Sequence, residues 1–308
     1  MVIGAIVSTE PTLNSRAAYG MPKIPSEILN STFHLYKSEC DAQKGEPFGG
    51  TGFFVGWPAA LPNNCVYYAL TNWHVAVRDG FSVIRLNKKN GGTEIFDLGP
   101  EQWEFIPGGP DVAVVPPSLL SIDDSIHKVT AISASLFVDQ EFSSTYGIGP
   151  GEDVFMVGRF VDHDGVDTNV PSVRFGHVSV MPQSVLRPSG STGGSFLLDV
   201  HSRSGYSGSP VFVYRTHIGD LTTLPTQINM QNHFIKLLGI HWGQFPEKWE
   251  IKESKHIGEV SVEGNEKYVE GLSGMTLAVP GWDIMKLLNT KKLKEERERL
   301  LAEFDNGG

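Results

Sequence analysis

The chain is punctuated at short intervals from end to end. From Ser31 onward, short runs rich in β-branched and aromatic residues alternate with Gly, Pro, Asn and Asp. STFHLY (31–36), TGFFVG (51–56), CVYYALT (65–71), FSVIRL (81–86), TEIFDL (93–98) and DVAVV (111–115) form a first group. DVFMVGRF (153–160), SVRFGHVSVM (172–181), SFLLDV (195–200), PVFVY (210–214), FIKLLGI (234–240) and MTLAV (275–279) follow. Many short strands with turn residues between them indicate a sandwich or a barrel rather than alternating βα units. The 34 glycines among 308 residues serve that design, being about 11% against a usual level near 7%.

Helical periodicity is convincing in one place. After Pro280, Ile284, Leu287, Leu288, Leu293, Leu300, Leu301 and Phe304 recur among Lys, Arg and Glu, which predicts an amphipathic helix from Trp282. Residues 1–30, broken by Pro11, Pro22 and Pro25, read as an arm or a short helix. A net charge of −10 argues against a general nucleic-acid binder, whose phosphate contacts need a basic face. No apolar run approaches the length that spans a bilayer, and Met1–Val7 is too short for a signal-peptide core. The expectation is a soluble, cytoplasmic protein with neither a nucleic-acid nor a membrane partner. Cys40 and Cys65 do not make a disulfide framework. One bridge or two thiols would fit, and two reduced thiols are expected.

Three short blocks carry the chemistry. In Gly205-Tyr206-Ser207-Gly208-Ser209-Pro210 a serine sits between glycines just before a strand. A tight turn of that kind presents a hydroxyl and lets backbone N–H groups converge, as an acyl-transfer nucleophile and its oxyanion hole require. The fifth position, Ser209, departs from the G-x-S-x-G elbow of α/β-hydrolases. In Thr71-Asn72-Trp73-His74 a histidine lies where a β-run ends, and Asp111 opens the run DVAVV. A lone histidine or aspartate in such a place is usually structural. In the order His, Asp, Ser the three match one known arrangement of the acyl-transfer triad.

GTGFFVG, TNWHV, DVAVV and GYSGSPVF resemble the blocks of trypsin-like (chymotrypsin-fold) serine proteases, and LLGIHWG (237–243) is similar to a block of the glutamyl endopeptidases. The resemblance runs from about Thr51 to Leu288. It implies an all-β chain: two packed antiparallel six-stranded β-barrels, at 31–135 and 136–280, with an N-terminal arm at 1–30 and a C-terminal α-helix and tail at 281–308. It also implies Ser207 as nucleophile, His74 as general base and Asp111 as the residue that orients the imidazole. The amides of Gly205 and Ser207 would form the oxyanion hole. Ser202 and His241 would line a pocket for an acidic P1 side chain, with Trp242 and Gly243 pairing to the substrate main chain. Tyr206 stands where animal enzymes keep an aspartate that pairs after zymogen cleavage. Glutamyl endopeptidases also use a freed N-terminal amine near the pocket; Arg203 is a substitute for that charge or faces solvent.

The partner implied is a protein or peptide substrate, any regulatory partner being unknown, and no cofactor or metal is implied. Asp162-His163-Asp164 with Asp167 reads as a solvated hairpin rather than a cation site. Against the endopeptidase stand the same fold with another P1 preference, a peptide-binding pseudoprotease, and an acyl hydrolase of unrelated fold. The His–Asp–Ser set and the lack of alternating helices weigh against the last two.

Overall fold

The computed structural model describes residues 23–58, 65–187, 190–215, 234–250 and 268–306. Most of the expected N-terminal arm, 1–22, lies outside them. Each β-run becomes a strand. The first group gives β1 (Thr32–Tyr36), β2 (Thr51–Pro58), β3 (Cys65–Thr71), β4 (Val83–Asn87), β5 (Thr93–Phe96) and β6 (Ala113–Val115). They form a sheet in the order β5-β4-β1-β2-β3-β6, antiparallel throughout. A seventh strand, β7 (Ile132–Ser133), pairs parallel with β2 through Val55 and Gly56.

The second group gives β8 (Asp153–Arg159), β9 (Pro171–Leu186), β10 (Thr192–Asp199), β11 (Pro210–Arg215), β12 (Phe234–Glu250) and β13 (Tyr268–Pro280). These six strands close into a barrel in the order β10-β13-β12-β11-β8-β9. The chain is therefore all-β, with the two antiparallel sheet units of a chymotrypsin-like architecture. β9 and β12 run well past their apolar cores, so they are longer than the sequence runs from which they were expected.

The single C-terminal helix expected from periodicity is two helices, α1 (Gly281–Leu288) and α2 (Lys291–Asn306). They part at Asn289 and Thr290, residue types whose side chains compete with helical backbone bonds. Asn289 Oδ1 accepts from Arg297 at 3.1 Å. Ile284, Leu287 and Leu288 of α1 and Leu293 of α2 join one apolar cluster with Phe53, Val55 and Leu70 of the first sheet and Phe155, Phe212 and Leu237 of the barrel. A shared core of this kind fixes the two sheets against each other, since burying each such side chain is worth about 1.5–3 kcal/mol. Arg297 adds a guanidinium stacked 4.2 Å from the Trp57 ring, and Tyr68 donates its hydroxyl to the Leu293 carbonyl at 2.8 Å.

Candidate active site

β3 delivers Thr71 and Asn72, and a π-helical turn, His74–Arg78, follows at once. The turn carries the His74 ring off the sheet edge toward Asp111, just ahead of β6. Asp111 is fully buried. Its Oδ2 lies 2.6 Å from His74 Nδ1, its Oδ1 accepts the His74 backbone N–H at 2.9 Å, and its carbonyl accepts Asn72 Nδ2 at 2.9 Å. A carboxylate can only accept, so His74 Nδ1 carries a proton, and in the neutral tautomer that this bond selects Nε2 is the nitrogen with the lone pair.

Ser207 lies on the turn between β10 and β11. Gly205 and Gly208 hold positive φ angles of 96° and 89°, which other L-residues rarely adopt. Space forbids a side chain as well. A Cβ on Gly208 would lie 1.9 Å from the Thr51 carbonyl oxygen, and one on Gly205 would lie 2.7 Å from that of Arg159. The Ser207 carbonyl accepts the Thr51 N–H at 2.8 Å, and the Thr51 carbonyl accepts Thr71 Oγ1 at 2.7 Å. That chain of bonds ties the serine turn to the end of β3, three residues before His74. A Cβ on Gly50 would sit 2.7 Å from Val75 and 3.0 Å from the Ser207 carbonyl oxygen, so the two segments flank the same residue. Ser207 Oγ and His74 Nε2 share no hydrogen bond, and bonds of this kind often tighten only in the transition-state complex. Among the described residues, the N–H groups of Gly205 and Ser207 donate to no protein acceptor.

Tyr206 points inward, away from the turn. It is buried, and its hydroxyl meets Ser172 Oγ and accepts from Arg174 Nε at 3.3 Å.

β12 passes behind the serine turn. Gly208 donates its N–H to the His241 carbonyl, and His241 donates its own to the Ser209 carbonyl, both at 2.9 Å. Ser202 Oγ lies 2.8 Å from His241 Nε2, while His241 Nδ1 lies 3.1 Å from the Leu277 carbonyl. The carbonyl can only accept, so Nδ1 holds the proton and Nε2 accepts from the Ser202 hydroxyl. Burial pushes the His241 pKa down to about 4; the Leu277 bond opposes this and the nearby His74 adds to it. The imidazole is neutral at neutral pH, not the imidazolium that pairing with a carboxylate calls for.

The strand register slips between His241 and Gly243, leaving Trp242 as a bulged residue. Its indole N–H donates to Ser195 Oγ at 3.1 Å. A Cβ on Gly243 would meet nothing within 4 Å. Arg203 is exposed.

Three residues of this region went without a role in the sequence reading. Thr51 bonds to the serine turn through both its backbone and its side chain. Asn72 holds the Asp111 backbone. Arg159, fully buried at the end of β8, pairs with Asp164 and donates to the carbonyls of Leu35 at 3.1 Å and Phe48 at 2.7 Å. Its signal was a lone cation closing an apolar strand. Asp164, one of the acidic group at 162–167, is thereby committed to an ion pair, and no cluster of metal-ligating side chains occurs among the described residues. Nor is any described helix long and apolar enough to cross a membrane.

No family model matches the chain, and no curated protein does. Solved structures do. The MamO protease domain from Magnetospirillum magneticum (apo form) is 15% identical with a TM-score of 0.47, covering 86% of this chain and 98% of its own. The active form of the Rv3671c protease from M. tuberculosis is 14% identical with a TM-score of 0.43, covering 94% of this chain and 93% of its own. The HtrA-type protease AlgW, solved with a decapeptide, is 16% identical with a TM-score of 0.42, covering 92% and 66%. All three are proteases in name, and at such overlap they carry no argument about the function of this chain, which rests on its own site.

Proposed function

We propose that the protein is a serine endopeptidase working through an acyl-enzyme. The observation that carries the reading is the Asp111 carboxylate, bound to both ring and backbone of His74 beside the Ser207 turn. His74 Nε2 takes the proton as Ser207 Oγ attacks the scissile carbonyl, and Asp111 stabilises the imidazolium that forms. Charge developing on the carbonyl oxygen is met by the Gly205 and Ser207 N–H groups, donors that need no rearrangement. The imidazolium then protonates the leaving amine, and water activated by the same Nε2 releases the acyl group.

The division at about residue 135 belongs to this reading, since His74 and Asp111 then come from the first unit and Ser207 from the second. Tyr206 makes the acidic switch of zymogens unnecessary: its side chain packs inward without an ion pair partner being created by cleavage.

Cleavage after Glu or Asp is the finer part of the proposal. Ser202 and His241 supply a hydroxyl and an imidazole bonded to one another at the expected pocket, and the open flank of Gly243 leaves room for an extended substrate. Purified protein treated with a fluorophosphonate, then given a P1-diverse peptide library, tests both levels. Labelling at Ser207 with peptide cleavage, both abolished in Ser207→Ala with a loss of about 10⁶ in kcat, is expected. No labelling would leave a peptide-binding pseudoprotease, and cleavage after Lys, Arg or large aromatics would remove the acidic preference alone.

A further inference from the structure

Thr51 belongs to the first sheet, yet its polar groups are directed at the serine turn of the barrel. Its hydroxyl lies 2.7 Å from the Gly205 carbonyl and 2.8 Å from the Arg159 backbone nitrogen. The roles are fixed by the partners: the Gly205 oxygen can only accept and the Arg159 N–H can only donate, so the single hydroxyl proton points at Gly205. With the Thr51 N–H on the Ser207 carbonyl, one fully buried residue holds the carbonyls of both residues whose amides are the proposed oxyanion donors.

The peptide plane between Gly205 and Tyr206 lies between those two donors. It is held at both edges, by Thr51 Oγ1 on the oxygen and by the Arg203 carbonyl, 3.3 Å from the Tyr206 N–H. Gly205 itself supplies little resistance to a flip of that plane, because glycine tolerates both signs of φ. The restraint must come from outside the turn.

We infer that Thr51 is a positioning residue that sets the oxyanion donors of Gly205 and Ser207 through its hydroxyl bond across the two sheet units. The inference rests on the reading of Ser207 as nucleophile. It assigns to a neutral hydroxyl the work of holding the turn in its competent form without a cleavage-dependent ion pair.

The experiment compares wild type with Thr51→Val, which keeps the shape and loses the hydroxyl, and Thr51→Ser, which restores it. Three quantities are read: the thermal midpoint, kcat and KM on a peptide the wild type cleaves, and the ¹⁵N–¹H resonances of Gly205 and Ser207. Thr51→Val should lower kcat about 10- to 100-fold, less than loss of an oxyanion donor itself. KM should change little, both resonances should move, and Thr51→Ser should restore rate and resonances together. Thr51→Cys, with its weak donor, should fall between and serves if the valine variant does not fold. Wild-type kcat with unmoved resonances in Thr51→Val overturns the inference, as does a loss that serine fails to restore. If wild type neither cleaves peptides nor reacts with a fluorophosphonate, the nucleophile reading fails separately. Resonances that move in Thr51→Val and return in Thr51→Ser then still uphold the positioning, and resonances that stay put overturn it.

Discussion

His74 and the carboxylate of Asp111 meet twice, at 2.6 Å through the imidazole Nδ1 and at 2.9 Å through the backbone N–H. One buried side chain therefore fixes both where the ring stands and which nitrogen holds its proton. In Asp111→Asn the amide oxygen can keep the backbone bond, while the NH₂ group would face Nδ1 and force the proton onto Nε2. That tautomer cannot act as a base. The expected outcome is a loss of about 10⁴ in kcat with the fold retained, read from peptide turnover alongside circular dichroism. A variant with near wild-type turnover would remove Asp111 from the mechanism.

Acid should destabilise the protein through its buried histidines. The His241 pKa is held down to about 4. That of His34 is held well below its ordinary value by burial and by the cations of Arg159 and Arg85. An unfolded imidazole titrates near 6.5. Between that value and about 4 the unfolded chain binds a proton that folded His241 refuses, so stability is full above pH 6.5 and is lost as pH falls. For His241 alone the loss is on the order of 3 kcal/mol by about pH 4, of which roughly 2 kcal/mol has appeared at pH 5. Urea unfolding at pH 7.5 and pH 5 should show it, with a shallower pH slope in His241→Gln. Equal slopes in the two proteins would mean that His241 titrates normally.

The same neutral imidazole sets a pH signature for the proposed P1 pocket. With Nδ1–H on Leu277 and the Nε2 lone pair taken by the Ser202 hydroxyl, the pair leaves the Ser202 oxygen as an acceptor for an amide but offers a carboxylate no proton unless the imidazole takes one up. A Gln side chain suits the pocket as it stands, whereas Glu brings proton uptake with it. The Glu-to-Gln ratio of kcat/KM should accordingly rise as pH falls from 8 toward 5.5. Taking a ratio cancels the titration of His74, which both substrates share. A ratio independent of pH would take His241 out of P1 recognition.

The two cysteines should differ sharply toward alkylation. Both are free thiols, Cys40 exposed on the helix Glu39–Lys44 and Cys65 partly buried at the start of β3. Burial, with the nearby Asp124 carboxylate adding to it, pushes the Cys65 thiol pKa up to about 11, which leaves almost no thiolate at pH 8. Iodoacetamide should label Cys40 in the native protein and reach Cys65 only after unfolding, as mass spectrometry would show. Fast labelling of native Cys65 would contradict its burial.

What could be read from the sequence was what depends on neighbours along the chain. Runs rich in β-branched and aromatic residues located every strand of the barrel, because a pleated, half-buried surface favours those side chains. Glycines either side of Ser207 were legible for the same reason: a turn with positive φ advertises itself in residue type. The bonds that matter most across the units were not legible. Thr51 lay inside a recognised block, but nothing local distinguishes a threonine that opens a strand from one whose hydroxyl reaches residue 205. Arg159 closing an apolar run was a visible anomaly, yet its acceptors, the carbonyls of Leu35 and Phe48, come from more than a hundred residues away. The charge state of His241 depended on Leu277 and on burial, neither of which residue type reveals. The short parallel β7 had too little sequence to announce itself.

The bonds that assemble the site span long stretches of chain: 154 residues from Thr51 to Gly205, and 225 from Tyr68 on the His74 strand to Leu293 in the last helix. Loop closure over such distances comes late, after local strands and turns have formed. During synthesis, His74 and Asp111 emerge from the ribosome well before Ser207 does. The clamp of the helix Lys291–Asn306 on β3 waits for Leu293. If the site works as proposed, this order keeps newborn chains inactive, since the bonds that close it form only after the residues at 205 and 293 have joined the fold.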